Sequence, residues 1–348
     1  MTRQLDYKLN RQQQKMSAQL LPALKKIIIP IAGHGTRMFP SSKVIPKALF
    51  PIIDPKDQLC KPILLVIIES AINALISEQA DITVDDIEVC IVLQENQRPL
   101  IEQFFFDPAP FSMEGKPNEL KESMNMIERI GRRLKLVVQK EQLGFGHAVL
   151  CCENTFITDS NEAFLVLLGD HVYTSRTRSG MTCLQYMIRT YKKYRKGVVS
   201  LATIAEKDTF ANGVLKIGSI LDKENDGEAL YIELKTTIEK PNKEQSEKYD
   251  LYLTDKELND LEIKKTVQDQ NELICYFGVD ILTPQVFGLL KSNWEKGILH
   301  KGEVNLRDAM RPIIEDNGMI GLFVKNTSRH DTGMPYEYLE TLQNFYNK

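Results

Sequence analysis

Five short apolar runs, spaced so that helix-length segments fit between them, constrain this chain most. They are KIIIPIA at 26–32, IEVCIVL at 87–93, LKLVVQ at 134–139, FLVLLG at 164–169 and GVVSLATI at 197–204. Each is short, rich in β-branched residues and bounded by polar or glycine positions, the pattern of a buried strand. Between the first two lies KPILLVIIESAINALISEQA. It is too long for a strand, and its Pro62 suits a first helical turn. Residues 180–195 read as a second crossover helix. Strand–helix–strand alternation predicts an α/β fold with a mostly parallel sheet and helices on both faces. Such sheets hold ligands beyond the carboxyl ends of their strands.

Beyond residue 205 the pattern changes. Residues 240–272 are polar and strongly charged and read as a surface excursion, helical in part. Residues 107–133 read as a similar polar insertion. The chain then returns with a strand, ICYFGVDIL, and helices expected over 284–291, 305–316 and 335–347. The expected organisation is a polar, glutamine-rich extension over 1–24 and a single domain over 25–348, with insertions in its second half. A formal net charge of −3 argues against a nucleic-acid coat. The six cysteines form no CxxC pair and several lie in apolar runs, so they read as free thiols in a reducing compartment rather than a zinc site. No secretion-signal core and no membrane-length apolar span is evident. The expectation is a cytoplasmic protein without membrane or nucleic-acid partners.

The first run ends in IAGHGTRMFPSSKVIPKALFPIID, residues 31–54. Gly33, Gly35 and Arg37 do not make the GxxxxGK[ST] loop, and Met38 breaks GxGxxG. What remains suits a polyanion. Glycines let backbone N–H groups approach a phosphate, Arg37 offers a planar fork of donors, and Lys43 and Lys47 add charge. Pro40, Pro46 and Pro51 stiffen the stretch, so a rigid extended loop is expected. An ordinary strand–loop turn with solvated cations fits the same residues.

Three later segments offer further polar groups. QKEQLGFGHAVLCCE at 139–153 carries Gln139, whose two-faced amide suits a base edge, and Gly144; His147 fits a structural role as well as any other. FLVLLGDHVY ends an apolar strand with Asp170, which is placed either for a ligand or to cap a turn. SRHDTGMPYEYLE places Asp331 before a Thr-Gly turn, with Pro335 opening a helix.

AGHGTRMFPSSKVIPKALFPIID resembles the G-x-G-T-R-x-x-P-x5-P-K motif of the sugar-1-phosphate nucleotidyltransferases. The spacing of Lys43 and Pro46–Lys47 is most similar to the bacterial UTP–glucose-1-phosphate uridylyltransferases, or UDP-glucose pyrophosphorylases. The resemblance recurs in order over about residues 25–345. It implies a Rossmann-like mixed sheet of the nucleotide-diphospho-sugar transferase type, with a nucleotide half over 25–205 and a sugar-phosphate half over 206–348. It implies catalytic roles for Arg37 and Lys47. Ala32, Gly33, Gly35, Thr36, Gln139 and Gly144 would bind the nucleotide. FANGVLKIG, IEKPNKE, CYFGVDILTP and GEVNLRDAM resemble the sugar-phosphate segments, which implies sugar-phosphate contacts for Gly213, Glu239, Lys240, Gly278 and Glu303. Asp170 and Asp331 would hold Mg²⁺, a hard cation that takes oxygen, with His171 and His330 outside its coordination.

The implied reaction joins UTP and glucose 1-phosphate to give UDP-glucose and pyrophosphate, by direct attack of the sugar phosphate on the α-phosphorus. No general base is needed, because the sugar phosphate is already ionised. Another nucleotide or sugar phosphate, and a non-catalytic sugar-nucleotide-binding regulator, are the competing readings. The chain departs from the family pattern at Ala48, which stands for an acid, at Leu143 and at Thr332, and in the longer stretch DPKDQLCKP at 54–62. The apolar helix over 62–77 and the C-terminal helix suit either a homo-oligomer interface or core packing.

Overall fold

A computed structural model describes residues 22–264 and 271–346. The expected extension over 1–24 lies outside the described residues except for its last three, as do residues 265–270 of the polar excursion and Asn347 of the last helix.

The expected runs form strands: β1 Lys26–Pro30, β4 Glu88–Leu93, β5 Leu134–Val138, β6 Phe164–Leu167 and β8 Gly197–Ala205. With β9 Gly213–Lys223, β10 Ala229–Glu239, β11 Glu272–Leu282 and β12 Met319–Val324 they make one nine-stranded sheet in the order β5-β4-β1-β6-β11-β8-β12-β10-β9. The pairings set seven strands in one direction, with β10 and β11 opposed. Two small antiparallel sheets stand outside it, β2 Pro51–Ile53 with β3 Cys60–Pro62, and β7 His171–Ser175 with β13 Thr327–Asp331.

The inner strands read as unbroken apolar runs because both faces are covered. In β1, Ile27 and Ile29 join one core and Ile28 the other; in β6, Leu165 and Leu167 separate from Phe164 and Val166 in the same way. Helices Ile63–Glu78 and Cys183–Tyr194 pack on the first face. Helices Phe145–Leu150, Gln285–Glu295 and Leu306–Glu315 pack on the second. The expected helix starting at Pro62 begins at Ile63, with Pro62 as its N-cap. Among the described residues no helix is long and apolar enough to cross a membrane.

The structure corrects two expectations. Residues 107–133 are not only a surface insertion: Asn118–Arg132 is a helix that buries Ile127 and Ile130 in the first core. Its apolar stripe is narrow, so its composition hides its amphipathicity. The glycine stretch is not extended. It winds through three single 3₁₀ turns at Thr36–Met38, Ser41–Lys43 and Lys47–Leu49, and its prolines mark the junctions between them. Of the cysteines, Cys90, Cys152, Cys183 and Cys275 are buried, Cys151 is half-buried and Cys60 exposed, all unbridged.

Candidate active site

A cleft of about 1250 Å³ opens at the carboxyl ends of β1 and β6. It brings together every residue assigned a role from sequence except Gly35. Gly35 shapes the turn instead. Its φ is +64°, a Cβ there would lie 3.0 Å from Ser42 Cβ, and its carbonyl accepts from Ser42 Oγ at 2.8 Å. The turn is pinned to the sheet from below. Ile31 N–H donates to the Val92 carbonyl at 2.7 Å, and Gln94 and Gln97 side-chain amides donate to the carbonyls of Ala32 and Ile31. Gly33 has open space where a side chain would stand, so its backbone is accessible from the cleft.

The two expected acids come together through the small β7–β13 sheet. Its register sets Asp331 opposite His171, the neighbour of Asp170. Thr332 locks the pairing: its N–H and its hydroxyl both donate to the Asp170 carbonyl, at 2.8 and 2.6 Å, and it is fully buried. Asp170, His171 and Asp331 offer ligand atoms all within 4.8 Å of one another. Lys47 is hydrogen-bonded to Asp170 Oδ2. Gly333 permits this crowding, since a Cβ on it would lie 3.0 Å from Asp331 Oδ1 and 3.3 Å from Lys47 Nζ. Burial alone would push the Asp331 carboxyl up. His171, the Gly333 N–H and Arg37 outweigh it and hold the group at about 2, so it is ionised at neutral pH. The carboxylate oxygens suit a hard divalent cation. Arg37 Nη1 lies 4.0 Å from Asp331 and 3.0 Å from Met334 Sδ.

On one side of the cleft, Gln139 is buried at the end of β5. Its amide donates to the Gly144 carbonyl at 3.0 Å and meets His147 Nδ1 at 3.1 Å. It therefore braces the loop as well as lining the cleft. Burial pulls His147 below its ordinary value, so its ring is neutral at pH 7. Gly144 has φ +91°, and a Cβ would collide with Glu303 at 2.6 Å. Leu143, in place of a polar residue, packs against the second core, and its carbonyl accepts from Val304 N–H at 2.7 Å.

On the opposite side, Glu239 ends β10 directly across from Gly213. A Cβ on Gly213 would lie 2.8 Å from Glu239 Oε2 and 3.1 Å from the Tyr276 ring. Lys240 follows at φ +46°, with Nζ 3.4 Å from Glu239. Gly278, at φ +109°, leaves room for the Tyr173 hydroxyl.

Sequence reading missed four residues here. Arg307 donates to Asp280 at 2.7 Å, and its guanidinium carbon lies 3.7 Å from the centre of the Tyr276 ring. Asp280 is fully buried; burial pushes its carboxyl up and Arg307 opposes this. An acid inside the apolar run FGVDIL was the available signal. Arg329, two residues before Asp331, also lines the cleft.

The open sheet, the glycine turn at the end of β1 and the paired acids define an enzyme that handles nucleotides. Solved structures share the fold. One described as apo UDP-glucose pyrophosphorylase is 26% identical, with a TM-score of 0.68, covering 93% of this chain and 98% of that one. Another, of UDP-glucose pyrophosphorylase complexed with UDP-glucose, is 25% identical, with a TM-score of 0.64 and coverage of 93% and 99%. The fold is thus that of the nucleotide-diphospho-sugar transferases. Residues 26–348 match the family described as nucleotidyl transferase, and the chain belongs to it. Among curated relatives, a Bacillus subtilis protein named UTP–glucose-1-phosphate uridylyltransferase YngB is 28% identical over 314 residues, 89% of this chain and 85% of the relative. A second B. subtilis UTP–glucose-1-phosphate uridylyltransferase is 26% identical, covering 92% and 91%.

Proposed function

We propose that the chain transfers a uridylyl group from UTP to glucose 1-phosphate, giving UDP-glucose and pyrophosphate. The observation that carries this reading is the juxtaposition of Asp170, Asp331 and Lys47 in one cleft between the glycine turn and the Glu239–Lys240 pair. The names of the relatives support UTP and glucose 1-phosphate as the substrates.

Residues 25–205 hold the nucleotide and 206–348 the sugar phosphate. Gly144 leaves flat backbone for the base, and Gln139 fixes the loop that carries it. Backbone from Ala32 to Thr36 lies along the triphosphate, with Arg37 at the departing end. Glu239 accepts hydrogen bonds from sugar hydroxyls and Lys240 faces the sugar phosphate, while Gly213, Gly278 and Glu303 shape that half. A phosphate oxygen of the sugar substrate attacks the α-phosphorus, and the bond to the pyrophosphate oxygen breaks. The nucleophile is already an anion, so no side chain need remove a proton. The work left for the protein is alignment and charge neutralisation. Lys47, between the two acids' loops, screens the approaching phosphates from one another. Asp170 and Asp331 would hold Mg²⁺, which supplies Lewis-acid stabilisation of phosphate charge.

The test is pyrophosphate release across four nucleoside triphosphates and several sugar 1-phosphates, with Mg²⁺ and with chelator. UTP with glucose 1-phosphate and Mg²⁺ should be fastest. A different preferred pair would redirect the assignment within the family. Tight binding of sugar nucleotides with no turnover by any pair would replace it with a regulator.

A further inference from the structure

All but one of the lysines and arginines lining the cleft already face a carboxylate. Lys47 is bonded to Asp170, Arg37 lies 4.0 Å from Asp331, Lys240 lies 3.4 Å from Glu239 and Arg307 lies 2.7 Å from Asp280. Arg329 is the exception: among the described residues no carboxylate oxygen lies within 4 Å of it. Its Nη1 donates to the Tyr276 carbonyl at 3.1 Å, a contact that orients the guanidinium without neutralising it. The side chain is half-buried, so its charge is partly desolvated. Such a group is relieved by an anion.

Position decides which anion. Arg329 shares a face of β13 with Asp331, two residues away. Its fixed partner, Tyr276, belongs to β11, whose ring lies beside Gly213 and under Arg307, on the Glu239 side of the cleft. That is the half assigned above to the sugar phosphate, not the glycine turn. The pairing of the cleft's cations points the same way. Lys240 is held by Glu239 and Arg307 by Asp280, whereas Arg329 feels the Glu337 carboxylate without pairing with it, which leaves its guanidinium open to a dianionic substrate.

We propose that Arg329 binds the phosphate of the sugar 1-phosphate, beside the junction where that phosphate meets the triphosphate. The assignment rests on the reading given under Proposed function. Its two arms are Arg329→Met and Arg329→Lys in the full chain, measured by steady-state pyrophosphate release and thermal melting. Arg329→Met should raise KM for glucose 1-phosphate roughly ten- to hundredfold, the loss expected for one charge-assisted contact. KM for UTP should stay within about threefold and the melting temperature within a few degrees. Arg329→Lys keeps a charge without the fork and should give a smaller rise. If the Met variant melts early, the Lys variant carries the same comparison. An unchanged KM for glucose 1-phosphate, or equal rises for both substrates, overturns the proposal while leaving the uridylyltransferase reading intact. A wild-type protein that releases no pyrophosphate from any pair removes that reading and this assignment together.

Discussion

Two lysines stand among acids in this protein, and they are used in opposite ways. Lys61 is almost fully buried, with Nζ 3.0 Å from Asp54 and 2.7 Å from Glu69, and it is bonded to Asp57 as well. Its three N–H donors meet three carboxylates, so the cluster is saturated. Lys47 bonds a single carboxylate, Asp170, while Asp331 and His171 stand beside it on the cleft. In each set the acidic ligand atoms lie within 4.8 Å of one another. By composition the two clusters look alike. Saturation and access separate them: one holds its own cation and closes a hairpin, and the other leaves charge facing a space where polyanions would sit. The longer stretch at 54–62 is thereby explained as a β2–β3 hairpin tied by Lys61 to the helix Ile63–Glu78.

The largest expected effect falls on the closed cluster and is one of stability. Lys61→Met strands three carboxylates around a buried apolar chain and should cost about 3–5 kcal/mol in denaturant unfolding. Turnover of the folded fraction should stay within about threefold. A variant with normal stability would show that the cluster is solvated and that its likeness to the open cluster is deeper than the geometry implies.

The open cluster should show the reverse. Asp170→Asn should lower turnover about a thousandfold, about 4 kcal/mol of barrier, with the melting temperature within a few degrees. Turnover measured at saturating substrate, alongside melting, checks both halves. Loss of stability without loss of turnover would reverse the roles assigned to the two clusters.

A smaller effect is a pH dependence. Burial already pushes the Glu69 carboxyl above its ordinary value, with Lys61 opposing. Without Lys61, the Glu69 carboxyl loses the group that opposes its burial, and the neighbouring Asp54 and Asp57 raise it further. A carboxyl whose folded-state pKa exceeds its unfolded value binds more protons when folded, so stability rises as pH falls. Lys61→Met should therefore gain about 2 kcal/mol between pH 8 and pH 5 relative to wild type. A flat difference would mean that the three acids do not interact. Asp331 shows the opposite sign. Held at about 2, it contributes stability that is present above its unfolded pKa and is lost only as pH falls from about 4 toward 2.

How these clusters read in the sequence follows from range. The strands were legible because burial on both faces leaves continuous apolar runs, as in Ile27–Ile29. Asp170 and Asp331 were legible as acids next to a strand end and a Thr-Gly turn. Their meeting depends on the register of β7 and β13, set by residues more than 150 positions apart, which no local pattern encodes. Ala48 looked anomalous only until its place was known: it is 1% exposed, packed in the first core at the edge of the cleft. A carboxylate at that depth would need a partner of its own. The 3₁₀ winding of the glycine stretch and the burial of Ile127 and Ile130 were hidden for the same reason, since both are decided by what packs against them.

The finest test of the contrast is Gly333, which only the open cluster contains. A Cβ there would sit 2.5 Å from Asp170 Oδ2, 3.0 Å from Asp331 Oδ1 and 3.3 Å from Lys47 Nζ. Its φ lies outside the left-handed region, so the backbone accepts alanine and the cost falls on the side chains around it. The added methyl must displace the Asp170 carboxylate by at least about half an ångström, disturbing its bond to Lys47. A saturated cluster would resist that shift and lose stability. An open one yields into the cleft and loses alignment instead. Gly333→Ala should therefore lower turnover about three- to fivefold, about 1 kcal/mol, with little change in melting. If melting fell and turnover held, Asp170 and Asp331 would be as tightly bound to Lys47 as Asp54, Asp57 and Glu69 are to Lys61.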